Sequence, residues 1–184
     1  DTDSTIVIDD TDEGVFLYTG NEVDLQGSSG YASIRKLNAL TGELEWEKSY
    51  KCWKGVGIDG GVLATPAIGT GDIENLIIFS ITLTEEQSTA GKLIAFDKET
   101  GDEVWVNELA AYGWSSPTLF KSDEGKSYMI FCDSAGKVYL MNPKDGKVLD
   151  EVSLEKNIEA SPAIYNDMIV IGSYARKVFG IRIK

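Results

Sequence analysis

Histidine is absent from the sequence. Its absence removes the Ser-His-Asp and Cys-His nucleophile arrangements and nearly all zinc, copper and haem sites, which rely on imidazole as base or ligand. Cysteine is scarce, and Cys52 and Cys132 cannot make a disulfide framework. Cys132 sits at the end of the apolar run Met129-Ile130-Phe131 and reads as a buried thiol, while Cys52 falls in a loop one unit earlier. No apolar run is long enough to span a bilayer, and the N-terminal stretch DTDSTIVIDD is acidic where a signal peptide would be basic. A missing leader is not evidence for the cytoplasm. Basic residues are outnumbered, 17 Lys and Arg against 30 Asp and Glu, and they are scattered. The resulting net charge of −13 would repel phosphate backbones and argues against a nucleic-acid partner. Nor is there a phosphate cradle, since Gly55, Gly57, Gly60 and Gly61 lack the helix that must follow one.

What is present is a repeat. In GKLIAFDKETGDEVWVNEL, from Gly91 to Leu109, the apolar run Leu93-Ile94-Ala95-Phe96 leads into a polar turn closing on Gly101, and alternation resumes at Glu103-Val104-Trp105-Val106. This is a β-hairpin with glycine where a left-handed backbone is needed. The pattern recurs at Thr41-Gly42, with Trp46 four residues past the glycine, and at Asp145-Gly146, where Asp150 takes the tryptophan slot. A second mark precedes each turn: Ala64-Thr65-Pro66-Ala67-Ile68, Ser115-Ser116-Pro117-Thr118-Leu119 and Ala160-Ser161-Pro162-Ala163-Ile164. Pro117 to Pro162 and Thr100 to Asp145 are both 45 residues, whereas Pro66 to Pro117 is 51 and Thr41 to Thr100 is 59. Four short strands recurring at this period are the signature of a β-propeller blade, a unit that must stack on its neighbours to bury its faces.

The segment AFDKETGDEVW closely resembles the tryptophan-docking motif of PQQ-like propeller repeats. Such repeats occur in quinoprotein alcohol dehydrogenases, in the outer-membrane assembly lipoprotein of the Bam complex and in many extracellular bacterial proteins. The match covers Ala95, Asp97, Thr100, Gly101, Glu103 and Trp105; in the first unit it covers Thr41, Gly42 and Trp46, with Asn38 in the Asp slot, and in the third Gly146, with Asn142 there. The resemblance implies an all-β propeller of four-stranded antiparallel blades in which the Trp of one blade packs against the Ala-x-Asp and Thr-Gly region of a neighbour. It also implies an extracellular or cell-envelope location.

One domain is expected over 1–184, with blades at about 4–50, 61–109, 114–154 and 159–184. Ser4-Thr5-Ile6-Val7-Ile8 aligns with 160–164 with a one-place drift that puts Thr in the proline slot, and Arg182 falls in the slot of Asp97. The last blade is therefore incomplete, and the chain reads as half of a larger propeller or its C-terminal fragment. Open blade faces would favour a homodimer pairing two halves.

No catalytic, metal or cofactor residues are assigned. The quinoprotein enzymes hold PQQ with calcium beside a vicinal disulfide, and no Cys-Cys pair occurs, so PQQ with calcium is the minor alternative. The acidic link from Asp9 to Gly14 offers oxygens suited to calcium without its full ligand pattern, and reads as a solvated turn. Trp46 and Trp105 are expected between blades. Trp53 and Trp114 fall in links leading to innermost strands; with Tyr112, Ser115 and Tyr174 they form a candidate recognition surface at a channel mouth, suited to a protein or glycan ligand. The expected function is a non-catalytic binding or scaffold module. The alternatives are part of a quinoprotein dehydrogenase and a carbohydrate-binding or sensor domain.

Overall fold

A computed structural model describes residues 1–183. The first sheet consists of β1 (Val7–Thr11), β2 (Gly14–Gly20), β4 (Ser29–Asn38) and β5 (Leu44–Trp53), with β3 (Glu22–Val23) lying in the β2–β4 connection. The second runs from β7 (Ala67–Ile68) through β8 (Leu76–Thr82) and β9 (Gly91–Asp97) to β10 (Glu103–Leu109). On it β6 (Gly60–Gly61) also pairs with β8 and carries β3 outward. The third is β11 (Thr118–Lys121), β12 (Ser127–Cys132), β13 (Lys137–Met141) and β14 (Val148–Ser153), and the fourth β15 (Ala163–Tyr165), β16 (Met168–Ser173) and β17 (Lys177–Arg182). Every pairing between these strands is antiparallel. This is the all-β propeller architecture.

Strand alternation explains how the sheets hold together. In β8, Ile77, Phe79 and Ile81 pack with Tyr18, Ile34 and Trp46 of the first sheet, while Ile78 turns the other way, towards Met129 and Phe131 of the third. In β12, Ile130 and Cys132 in turn face Ile169 and Ile171 of the fourth sheet. A strand buried on both faces needs apolar residues at every position, which is why LIIFSIT and MIFC read as continuous runs. β16 has only one covered face, so Val170 between Ile169 and Ile171 is exposed.

Each complete sheet ends in the same turn. Asn38, Asp97 and Asn142 each use the side-chain oxygen to accept backbone N–H bonds from the turn, and Gly42, Gly101 and Gly146 sit at φ 75, 72 and 70°. Burial alone would push the Asp97 carboxyl up, but the N–H groups of Thr100 and Glu99 and the Asn75 amide hold it below its ordinary value. A bulge follows each turn: Glu103 pairs with Phe96 and Trp105 with Ala95, leaving Val104 over, and equivalent shifts precede Trp46 and Asp150.

Several expected boundaries move. Of the mark Ala64-Thr65-Pro66-Ala67-Ile68 only Ala67–Ile68 pairs as strand, because Pro66 has no N–H for a ladder. The glycine-rich stretch from Gly55 to Gly61 and the β2–β4 connection contribute β6 and β3. Asp9 and Asp10 belong to β1 rather than to a link, and Asp9 makes a 2.8 Å ion pair with Lys98, largely shielded from solvent. Cys52 is a buried member of β5, not a loop residue.

The three turn glycines differ in surroundings, which gives two expected outcomes. A Cβ at Gly101 would lie 2.7 Å from the Trp46 indole, whereas one at Gly42 meets nothing within 4 Å. Gly42→Ala should therefore cost about 1 kcal/mol for backbone strain alone, and Gly101→Ala about 1–3 kcal/mol more from overpacking. Trp105→Ala should cost about 3–5 kcal/mol. Urea denaturation of the three variants checks both; equal losses at the two glycines would remove the indole from its assigned seat.

Candidate functional site

The face where sheets meet is built from the turn upward. Trp46 lies over Gly101 of the next sheet and stacks with Phe96, ring centroids 6.1 Å apart, while its Nε1 donates to the Lys98 carbonyl at 3.0 Å. The Tyr18 hydroxyl donates to the same carbonyl, at 3.4 Å. Trp105 repeats the geometry one sheet on: it lies over Gly146, and Nε1 donates to the Pro143 carbonyl at 2.8 Å. Thr100 and Thr41 stay local, each hydroxyl accepting the N–H two residues on, from Asp102 and Glu43.

Ala95 is not part of the Trp46 seat. Alternation along β9 points Phe96 at the first sheet and Ala95 at the third, where it packs with Met129 and Met141. The expected contact of the tryptophan with the Ala position is therefore corrected to the residue beside it. Lys98, which no spacing argument singled out, contributes both its carbonyl and its ammonium to the joint.

Along the inner strands runs a second connection. The Thr5 N–H donates to Thr65 Oγ1 at 3.2 Å, the Thr65 N–H to Ser116 Oγ at 3.0 Å, and the Ser116 N–H to Ser161 Oγ at 3.0 Å. Thr65, Ser116 and Ser161 each precede a proline, so the signal is legible as the triplet TP, SP, SP. The ladder puts Thr5 in the pre-proline slot and Ile6 in the proline slot, correcting the one-place drift. Among the described residues, the Ser161 N–H and Thr5 Oγ1 at the two ends are not bonded.

The candidate recognition residues do not form one surface. Tyr112 and Ser115 are buried, Ser115 against the Cys132 thiol, and so cannot meet a ligand. Tyr112 closes on Trp114 with ring centroids 5.3 Å apart, and the Trp114 Nε1 is buried without a partner. Trp53 is not in a link but ends β5, below the Lys51 ammonium at 5.0 Å. Only Tyr174 is well exposed, its hydroxyl donating to Glu159 Oε2 at 2.7 Å beside a cleft of about 400 Å³. A larger cleft of about 820 Å³ opens between the third and fourth sheets, lined by Phe120, Tyr128, Ile164 and Asp167. No helix among the described residues is long and apolar enough to cross a membrane.

The family model for outer membrane protein assembly factor BamB matches residues 9–184. The chain belongs to that family. BamB from Moraxella catarrhalis superposes with a TM-score of 0.64 over 100% of this chain and 44% of that one, at 17% identity. The computationally designed Ika4 protein gives a TM-score of 0.57 over 98% of this chain and 92% of that one, at 12% identity. At such identities the likeness is one of fold. Methanol dehydrogenase (cytochrome c) subunit 1 of Methylobacterium organophilum is 30% identical over 122 residues, and that of Methylorubrum extorquens 29%. The BamB-family chain aligns with 65% of its own length and with 16% of theirs.

Burial pushes the Cys52 thiol of this BamB-family chain up to about 11 and that of Cys132 up to about 12. Both therefore remain protonated well above neutral pH and are poor nucleophiles. An aromatic disulfide reagent at about pH 8 should leave both thiols unmodified in the native chain and modify both after denaturation; rapid native labelling of either would contradict the burial.

Proposed function

We propose that this BamB-family chain is a non-catalytic scaffold of the cell envelope that associates with protein through the exposed faces of its end sheets. The envelope and assembly setting is supported by the description of the family itself, outer membrane protein assembly factor. The observation that carries the reading is the pair of uncovered sheet faces. Ile8 is exposed on the first sheet, and Tyr165, Val170 and Val178 are exposed on the fourth. Inner sheets bury such side chains against a neighbour, so these faces lose apolar exposure only when another sheet covers them. Two copies meeting head to tail would also give the Ser161 N–H the Thr5 Oγ1 acceptor that the repeat supplies elsewhere.

A second reading rests on the 30% identity to methanol dehydrogenase, which would make the chain part of a quinoprotein dehydrogenase. PQQ with calcium would be its cofactor. What weighs against the fit is the surroundings of Trp114: Tyr112 packs against it at a 49° tilt with ring centroids 5.3 Å apart, crowding the indole on which a planar quinone would stack. No step is assigned to the group.

Light scattering behind size exclusion tests the scaffold reading. At about 100 μM the mass should approach twice the 20.1 kDa chain, and Val170→Lys with Val178→Lys should return it to one chain. A mass of one chain at every concentration overturns the assignment of the end faces. A visible quinone absorbance retained after gel filtration with PQQ and calcium would favour the dehydrogenase reading instead.

A further inference from the structure

The connection between β2 and β4 gathers carboxylates that the scaffold reading does not use. Oxygens of Asp1, Glu22 and Asp24 all lie within 4.8 Å of one another. Asp3 and Asp59 add negative charge close to Glu22. Lys54, the neighbouring base, is engaged at 2.9 Å with Asp59.

Glu22 sets this group apart from an ordinary acidic surface. It is only 3% exposed, sits on the short strand β3 opposite Gly61, and its carboxylate has neither a hydrogen-bond donor nor an ion-pair partner among the described residues. The nearest base, Lys54, reaches the Asp24 backbone carbonyl at 3.3 Å and acts on the Glu22 carboxylate only through space. A buried, unpartnered carboxylate aimed at two others is costly unless a cation joins them.

The backbone around it is fixed by its own side chains. Asn21 Nδ2 donates to the carbonyls of Glu22 and Tyr31, both at 3.0 Å, and Asn21 Oδ1 accepts the Ser33 N–H at 2.9 Å. Gln26 Nε2 donates to the Glu22 carbonyl at 3.3 Å, while its Oε1 accepts the Tyr31 N–H at 2.9 Å. The Leu25 N–H takes one oxygen of Asp24 and leaves the other free. Asp1 likewise accepts the Thr2 N–H on one oxygen, at 2.9 Å, so Asp1 and Asp24 each keep a second carboxylate oxygen for a ligand.

We propose that Asp1, Glu22 and Asp24 form a divalent-cation site, suited to calcium, that ties the N-terminal segment to the β2–β4 connection. The ligands are hard oxygens, spaced as oxygens are around one ion of this size, and no nitrogen or sulfur donor stands among them. Calcium's tolerance of irregular geometry and retained water suits three carboxylates on a loop better than magnesium's strict octahedron. The acidic strand at Asp9 is not an equivalent candidate, because Lys98 already neutralises it.

Calcium titration followed by thermal unfolding, with EDTA-treated protein as reference, tests the site. A dissociation constant of about 10⁻⁴–10⁻³ M is expected, as for extracellular calcium modules, with Tm raised by about 3 °C at tenfold excess over it. Glu22→Gln and Asp24→Asn should each weaken calcium at least about tenfold, whereas Asp12→Asn should not. Terbium luminescence, displaced by calcium, should follow the same order. If Glu22→Gln fails to fold, Asp24→Asn, at the less buried position, carries the test. The proposal is overturned by a calcium response that survives in Asp24→Asn, by one that magnesium chloride reproduces at equal ionic strength, or by no saturable binding up to about 10 mM.

Discussion

Everything in this fold depends on the seat that each sheet offers the next. A single four-stranded sheet has two apolar faces and no way to cover them, so its stability is the stability of its joints. At the first joint an indole, a phenol and a carboxylate converge on one residue of the neighbouring turn: Trp46 and Tyr18 on the Lys98 carbonyl, and Asp9 on the Lys98 ammonium. The apolar contact supplies most of the energy, and the directional bonds fix the register at which it is made. A side chain larger than hydrogen at Gly101 would fill the space the indole needs.

Much of this was legible in the sequence, for reasons that can be named. The turn glycines, the tryptophans four residues beyond two of them and the pre-proline hydroxyls recur in the same order at spacings of 45 to 59 residues, and that order survives any error in placing single strands. The face towards which a residue points was less legible. Ala95 and Phe96 are adjacent, and only the register of β9 against β8 decides which one meets Trp46. The recognition residues misled for a related reason. Side chains near a proline-marked link look exposed in a string of letters, but Tyr112 and Ser115 are buried, Ser115 against the Cys132 thiol. The β3–β6 pair is not legible in the sequence because strands of two residues, Glu22–Val23 and Gly60–Gly61, carry no alternation to read.

Family membership and activity part company here. A match along nearly the whole chain to BamB and a partial likeness to methanol dehydrogenase share a scaffold whose repeated residues are spent on joining sheets. Trp46, Gly101, Ser116 and their counterparts answer a packing problem common to a binding protein and to an enzyme, so they cannot distinguish the two. The connections that the repeat leaves free, such as the Asn21–Tyr31 segment with its internally bonded amides, are the parts of this chain not spent on joining sheets.

The joint between the third and fourth sheets departs from the pattern. Asp150 stands where Trp46 and Trp105 stand, every residue of β14 is exposed, and a cleft of about 200 Å³ opens between Asp150, Val152, Ile169 and Ile181. Cohesion is therefore graded along the row. With no indole clamping it, the terminal three-stranded sheet is held to the third by the cluster around Ile130, Ile169 and Ile171, and is the part of the row expected to open first.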